Sequence, residues 1–436
     1  MSERAHLALA AVALAALWAL ATTVGPFSDI AVNDLFVYRS YADLLLDGQL
    51  PYLDFAFEYP PLAALPLGLA GIPGTDEGTY AVSFAVLMLG CALAGQQLAA
   101  RLAGDGRARV TVSWLLALSP VVIGASVRTH FDALPVAVAL GGLLAMARGR
   151  TNLAFALLGL GTMTKLFPGL LAVAAAVWLL GRGERAAALR GAAIFTAVVL
   201  AISLPFAGSG YVESFSFHLD RPVQIESSAA SVLFALGGSQ VTGTNLRPDR
   251  FKSNGLDGGY ADTVELFFAI ALVLALAALV VLVARRRDPR HLVLCGFATL
   301  LAFVTLGKVF SPQYVIWLAP FAALAWAWGR RAVALLVGAA IVLTHVEFPS
   351  RYFDLINEQR DVIQIVAARN ALLLVALGVL VVGLLRSQRP APAGAQPSEE
   401  SGRARPGRGG HPRAPSGSGA STEAHSARRV SDGAAG

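Results

Sequence analysis

Residues 267–284 read FFAIALVLALAALVVLVA, eighteen positions without a charge, and Arg285, Arg286 and Arg287 follow at once. A helix needs about 20 apolar residues to cross roughly 30 Å of hydrocarbon. Lipid offers the backbone no hydrogen-bond partner, so a buried run of this kind must satisfy its polar groups internally, as a helix. Ala5–Val24 and Val362–Leu385 are runs of the same character. The whole chain follows them: 56% of its 436 residues are hydrophobic, 14% are charged, and the mean hydropathy is +0.62. A soluble domain carries roughly 25% charged residues. The length therefore builds an all-α integral membrane protein rather than a large soluble core.

Hydropathy predicts about twelve spans, near 5–24, 79–100, 110–126, 133–147, 151–164, 166–180, 191–207, 263–284, 292–306, 314–328, 332–345 and 362–385. One alternate set of connecting loops carries Arg101, Arg107, Arg109, Arg148, Arg150, Arg182, Arg185, Arg190, Arg285, Arg286, Arg287, Arg290, Arg330 and Arg331. Against these fourteen stand three acids, Asp105, Glu184 and Asp288. The other set holds Asp29, Asp34, Asp43, Asp47, Asp54, Glu58, Asp76, Glu77, Asp132 and Glu213. Arginine collects on the cytoplasmic side, so the acidic loops face outward and both termini face the cytoplasm. Ala19-Leu20-Ala21 could instead end a cleaved signal peptide. However, the run is longer than a usual signal core, and its removal would leave an odd number of spans.

Cys91 and Cys295 lie in apolar runs and read as small core residues, neither a disulfide nor a metal site. The net charge of +6 does not indicate nucleic acid, because much of the excess lies in the tail. Residues 386–436 are rich in Pro, Gly, Ser, Ala and Arg and lack aromatics, the composition of a disordered cytoplasmic tail able to touch anionic headgroups. The organisation is thus a polytopic domain at 1–385 followed by this tail, with outer loops at 26–78 and 208–262.

Those two outer segments carry the chemistry. A plain connection takes a handful of residues; the first outer loop runs over fifty. Leu35, Tyr38, Ala42 and Leu45 recur at helical spacing and predict a short amphipathic helix on the surface. Gly48 ends it, Pro51 opens an extended stretch, and Pro60-Pro61 opens a second apolar helix at 61–71, too short to span. Asp34 sits just before the amphipathic helix. It reads either as a helix N-cap or as a general base facing a substrate at the membrane surface. The loop 208–262 holds Phe217-His218-Leu219-Asp220-Arg221-Pro222-Val223-Gln224-Ile225-Glu226, which reads as a binding surface or as a solvated loop with local ion pairs. Further polar groups stand at the outer ends of spans: Arg128, His130 and Asp132, then Lys165, then Lys308 with Ser311, Gln313 and Tyr314. The only lysines, Lys165, Lys252 and Lys308, all fall on this side, against the charge bias. Cations there fit an anionic lipid phosphate, or they anchor helix ends by snorkelling.

Asp34-Leu35-x-Val37-Tyr38, Leu45 to Gly48, Pro51-Tyr52 and Tyr59-Pro60-Pro61 resemble the first outer loop of glycosyltransferase family 87. Phe131-Asp132-x-x-Pro135, Lys165-Leu166-Phe167-Pro168, Arg221-x-x-Gln224-x-Glu226 and Ser311-Pro312-Gln313-Tyr314-x-x-Trp317 continue the resemblance in order over roughly 5–385. The family includes actinobacterial polyprenol-phosphate-mannose-dependent α-mannosyltransferases. The resemblance implies a GT-C type bundle of about 12 helices, a polyprenyl-phosphate sugar donor, no essential metal or cofactor, and a lipid or glycan acceptor at the outer face of the plasma membrane. It also implies an acid of the first outer loop as inverting base, a role that carries to Asp34 with Asp54, Glu58 and Asp132 in reserve. Arg128, Lys165, Arg221 and Lys308 would then meet the donor phosphate, and Tyr38, Tyr59, His130, Gln224, Glu226, Gln313 and Tyr314 the rest of the substrates.

Two rivals come from other classes. A twelve-span transporter would place polar groups near the bilayer midplane and keep its outer loops short, the reverse of this pattern. A lipid-linked glycan ligase or polymerase would share the outer site and differ in its donor, a chain on a pyrophosphate.

Overall fold

The structure, a computed structural model, describes residues 1–243 and 254–386. Lys252 and the tail from 387 onward lie outside the described residues. Among the described residues the chain is a helical bundle with one small sheet, and most of the expected runs are found as helices. Six helices among the described residues are long and apolar enough to cross a membrane: Glu3–Ala21, Glu77–Ala103, Arg185–Phe206, Ala261–Val283, Pro289–Leu306 and Arg360–Arg386. Val315–Ala327 and Arg331–Glu347 account for two more of the expected runs.

Val315–Ala327, with 13 residues, and most of the remaining runs are short helices, so twelve full-length spans are not seen among the described residues. Ala133–Ala147 has 15 residues and Thr151–Thr164 and Pro168–Gly181 have 14 each, which rise only about 21–23 Å. Ala133–Ala147 is nearly all buried, enclosed by protein rather than lipid. The run at 110–126 is divided into Arg107–Ala117, Ser119–Ile123 and Ser126–Thr129. Gly124 makes that last break: its φ is +77°, and a Cβ there would fall 2.1 Å from Nδ1 of His345. The broken stretch delivers Arg128, His130 and Asp132 to the end of the bundle.

The basic loops meet at one end. Arg109 pairs with Glu3 at 3.0 Å and Asp105 at 2.6 Å. The Arg182 guanidinium donates to the Arg287 carbonyl, and the Trp328 indole to the Ala103 carbonyl. The first outer loop, residues 128–132 and residues 218–226 meet at the other end. Because Glu3 and Arg109 touch, the first helix starts at the basic end. Arg330 packs on Gly383, so the last helix finishes there too.

The first outer loop folds as its pattern predicts. Leu35–Leu46 is a helix with Tyr38 and Ala42 buried, and Pro61–Ala63 leads into the short helix Ala64–Gly71. Gly71 lets the two helices approach: a Cβ there would lie 2.9 Å from that of Ala42. Aromatic rings hold the loop to the bundle, with Tyr38 against Tyr59, Phe84 and Phe131 at centroid distances of 6.0, 5.5 and 5.6 Å. The second outer segment is more ordered than a solvated loop. It contains helix Ser209–Asp220, helix Ser228–Leu236 and an antiparallel sheet in which Asn254–Asp257 lies between Val223–Gln224 and Gln240–Gly243. Ile225, Ala229, Leu233 and Leu256 bury a small core against Val362 and Val366 of the last helix.

Candidate active site

Asp34 precedes the helix Leu35–Leu46, yet its side chain makes no capping hydrogen bond. Asn33 takes that duty, its Oδ1 accepting from the Leu35 amide at 2.8 Å. The Asp34 carboxylate, 35% exposed, turns instead toward the bundle. Its Oδ2 accepts from the Tyr38 hydroxyl at 3.1 Å and lies 3.4 Å from Nε2 of His130. Burial, followed by the charge of Asp34, raises the Tyr38 hydroxyl well above the ordinary phenol value, so it stays a donor.

Glu58 is the second acid of this cluster. Burial first and the neighbouring Asp34 second push its carboxyl up to about 7, against the opposing pull of the Tyr59 hydroxyl, Arg221 and Lys165. His218 holds this stretch of the first outer loop in place, its Nε2 3.1 Å from the Glu58 carbonyl. Raised in this way, the Glu58 carboxyl can keep its proton near neutral pH.

Asp132 is fully buried, and its Oδ1 accepts from Nζ of Lys165 at 2.7 Å and from the Trp317 indole at 2.5 Å. Lys165 lies over the rings of Phe131, Trp317 and Tyr314 at 4.7, 5.6 and 5.9 Å. Tyr314 stacks on Trp317 at 3.9 Å, and Gln313, partly buried, sits beside it in the short turn Pro312–Tyr314. Arg221 covers the ring of Phe217 at 5.5 Å and acts electrostatically on Glu58, His218 and Tyr314. Asp34, Tyr38, Glu58, Tyr59, His130, Asp132, Lys165, Arg221 and Tyr314 thus come together.

Others from the sequence reading lie elsewhere. Asp54 faces solvent and accepts from the Leu50 amide at 2.7 Å, closing its own turn. Arg128 donates to the carbonyls of Phe27 and Ser28, pinning the entry to the first outer loop. Lys308 bonds the Leu219 carbonyl and pairs with Glu265 at 2.9 Å. Gln224 and Glu226 are buried: Gln224 accepts from the Phe310 amide at 3.1 Å and donates to Glu226 at 2.5 Å. Glu226 faces Arg369 in a buried network with Glu347 and Asn370. An arginine inside an apolar run is a legible signal, but its two acids are distant in sequence.

Among the described residues, no group of three His, Cys, Asp or Glu side chains converges as a metal site would require. The family model described as Glycosyltransferase family 87 matches residues 57–312. That range includes Glu58, Tyr59, His130, Asp132, Lys165 and Arg221, and begins after Asp34. No curated protein matches the chain. Among solved structures, the crystal structure of ArnT from Cupriavidus metallidurans in the apo state is similar at 16% identity with a TM-score of 0.46. The alignment covers 88% of this chain and 77% of that one.

Proposed function

The chain belongs to glycosyltransferase family 87, and from that premise we propose that it moves a hexose, mannose in the first instance, from a polyprenyl-phosphate donor to a lipid or glycan hydroxyl. The architecture is read as GT-C type, and the reaction is placed at the outer face of the plasma membrane. The arginine-rich loops at the opposite end of the bundle support that side.

One observation carries the reading: the Asp34 carboxylate is released from capping and held by Tyr38 and His130 at a partly open position. A base must reach the proton it removes, and both contacts fall on Oδ2, so Oδ1 is the oxygen for the acceptor. Asp34 takes the hydroxyl proton as the acceptor oxygen attacks the anomeric carbon. The bond from that carbon to the lipid phosphate breaks, the phosphate leaves with the electron pair, and the centre inverts. The leaving group is already a stable anion and needs neither a metal nor a general acid. Lys165 and Arg221 both act on Glu58, and they offset the growing charge of the leaving phosphate. Arg128 and Lys308, committed to backbone carbonyls and to Glu265, act at the margin of the site.

The test is transfer of labelled mannose from polyprenyl-phosphate mannose to membrane lipids by wild type and by Asp34→Asn, matched for expression. Transfer by wild type alone supports donor and base together. Equal transfer by both moves the base to Glu58. Failure of wild type with every polyprenyl-phosphate sugar offered refutes the donor, and a pyrophosphate-linked chain is the donor to try next.

A further inference from the structure

His130 is 2% exposed, and both its ring nitrogens are committed. Nδ1 lies 3.3 Å from the Ser126 carbonyl oxygen and 3.0 Å from Oγ1 of Thr129. A carbonyl can only accept. The Thr129 hydroxyl gives its hydrogen to the Ala125 carbonyl at 3.1 Å, so toward the ring it too is an acceptor. Nδ1 therefore carries the hydrogen. In the neutral ring Nε2 is then a bare lone pair, and it faces Oδ2 of Asp34 at 3.4 Å. Two acceptors directed at one another are satisfied only when a proton lies between them.

We infer that His130 is the store for the proton that Asp34 removes from the acceptor. The inference rests on the reading of Asp34 as base. The acceptor O–H breaks and its hydrogen forms a new bond to the Asp34 carboxyl. The carboxyl turns to bring the protonated oxygen to Nε2 and yields that same hydrogen there, leaving an imidazolium beside a carboxylate. The Asp34–His130 contact, repulsive before the transfer, becomes an ion pair after it. His130 acts through Asp34 and is a positioning residue, with its tautomer fixed by the carbonyls of its own turn.

Several charged and titratable groups surround the pair: the Tyr38 hydroxyl donates to Asp34, and Tyr41, Tyr59 and Tyr352 feel its charge. Glu58 stands beside Asp34, Asp132 is tied to Lys165, and Arg128 is bound to Phe27 and Ser28. From the helix Arg331–Glu347, Glu347 points to Arg369 and His345 stacks on Phe27 at 5.3 Å. Phe348 covers the His130 ring at 6.2 Å.

Two measurements on the full chain test this. Nitrogen NMR of histidine-labelled protein, with the His130 signal assigned by its loss in His130→Gln, reads the tautomer without any assay. A hydrogen on Nδ1 and a bare Nε2 above pH 8 are expected; a hydrogen on Nε2 overturns the inference whether or not the sugar donor is right. The second is kcat/KM against pH. Wild type should lose activity as pH falls, because a protonated His130 can store nothing. His130→Gln should transfer about 10²-fold more slowly, with an acid limb that differs from that of wild type. An unmoved limb in His130→Gln refutes the store.

Discussion

Lys165 and Asp132, 33 residues apart, meet at 2.7 Å where a fully buried carboxylate also accepts from Trp317. Removing one partner of such a pair leaves a buried charge uncompensated, typically about 3–5 kcal/mol. Asp132→Asn keeps an acceptor for Trp317 but leaves the lysine without its counter-ion, and Lys165→Met strands the acid. Each single variant should unfold several degrees lower in detergent. The double variant Asp132→Asn/Lys165→Met should recover most of the loss, since a thioether suits the surrounding rings. Additive losses in the double variant would show that the two groups are not coupled.

Asp34 and Asn33 are neighbours with separated duties, one facing the site and one holding the turn. Asp34→Asn should therefore leave the thermal midpoint within a degree or two while reducing transfer on the order of 10²-fold or more. Asn33→Ala should do the converse, costing about 1 kcal/mol of stability with activity largely kept. If Asp34→Asn destabilises as much as Asn33→Ala does, Asp34 is serving the helix after all.

The sequence carries more of this fold than of its pairings. The predicted spans 133–147 and 151–164 coincide with helices Ala133–Ala147 and Thr151–Thr164, because apolar composition and flanking arginines are local signals. The break at 118–126 depends on His345 filling the space over Gly124, more than two hundred residues away, and no local pattern reports that. The site follows the same division. Polar residues in an apolar chain single out Asp34, Glu58, His130, Asp132 and Lys165. Their partners are set by packing: Asp132 is spent on Lys165 and Trp317, and Gln224 and Glu226 belong to a buried network with Arg369.

Glu58 makes stability depend on pH in a defined direction. Folded, its carboxyl holds a proton up to about 7; unfolded, it releases it near its ordinary 4.5. Between those values the native state binds more protons than the unfolded state, so stability falls as pH rises through that window. The thermal midpoint of wild type should drop from pH 5 to pH 8. Glu58→Gln, unable to ionise, should flatten the curve and be the more stable protein at pH 8. A midpoint rising over that range, with the same slope in the variant, would show that Glu58 is not the group responsible.

Arg369 is the central cation of the buried network, fully enclosed within the last helix. Nη1 lies 3.8 Å from Glu226 and 3.7 Å from Glu347, Nη2 donates to the Glu226 carbonyl, and the guanidinium covers the Phe310 ring at 4.1 Å. It joins the second outer segment to the helix Arg360–Arg386. Arg369→Met leaves two buried carboxylates facing each other, so the variant should accumulate poorly and lose about 3–5 kcal/mol. Glu226→Gln/Glu347→Gln placed on that background removes the stranded charges and should restore folding. A buried ion pair replaced as a whole is often neutral in stability. The triple variant should also retain sugar transfer, because these side chains serve their own network and not the Asp34 cluster. Restored folding with abolished transfer would instead place Glu226 at the substrate, the role that its sequence motif suggests.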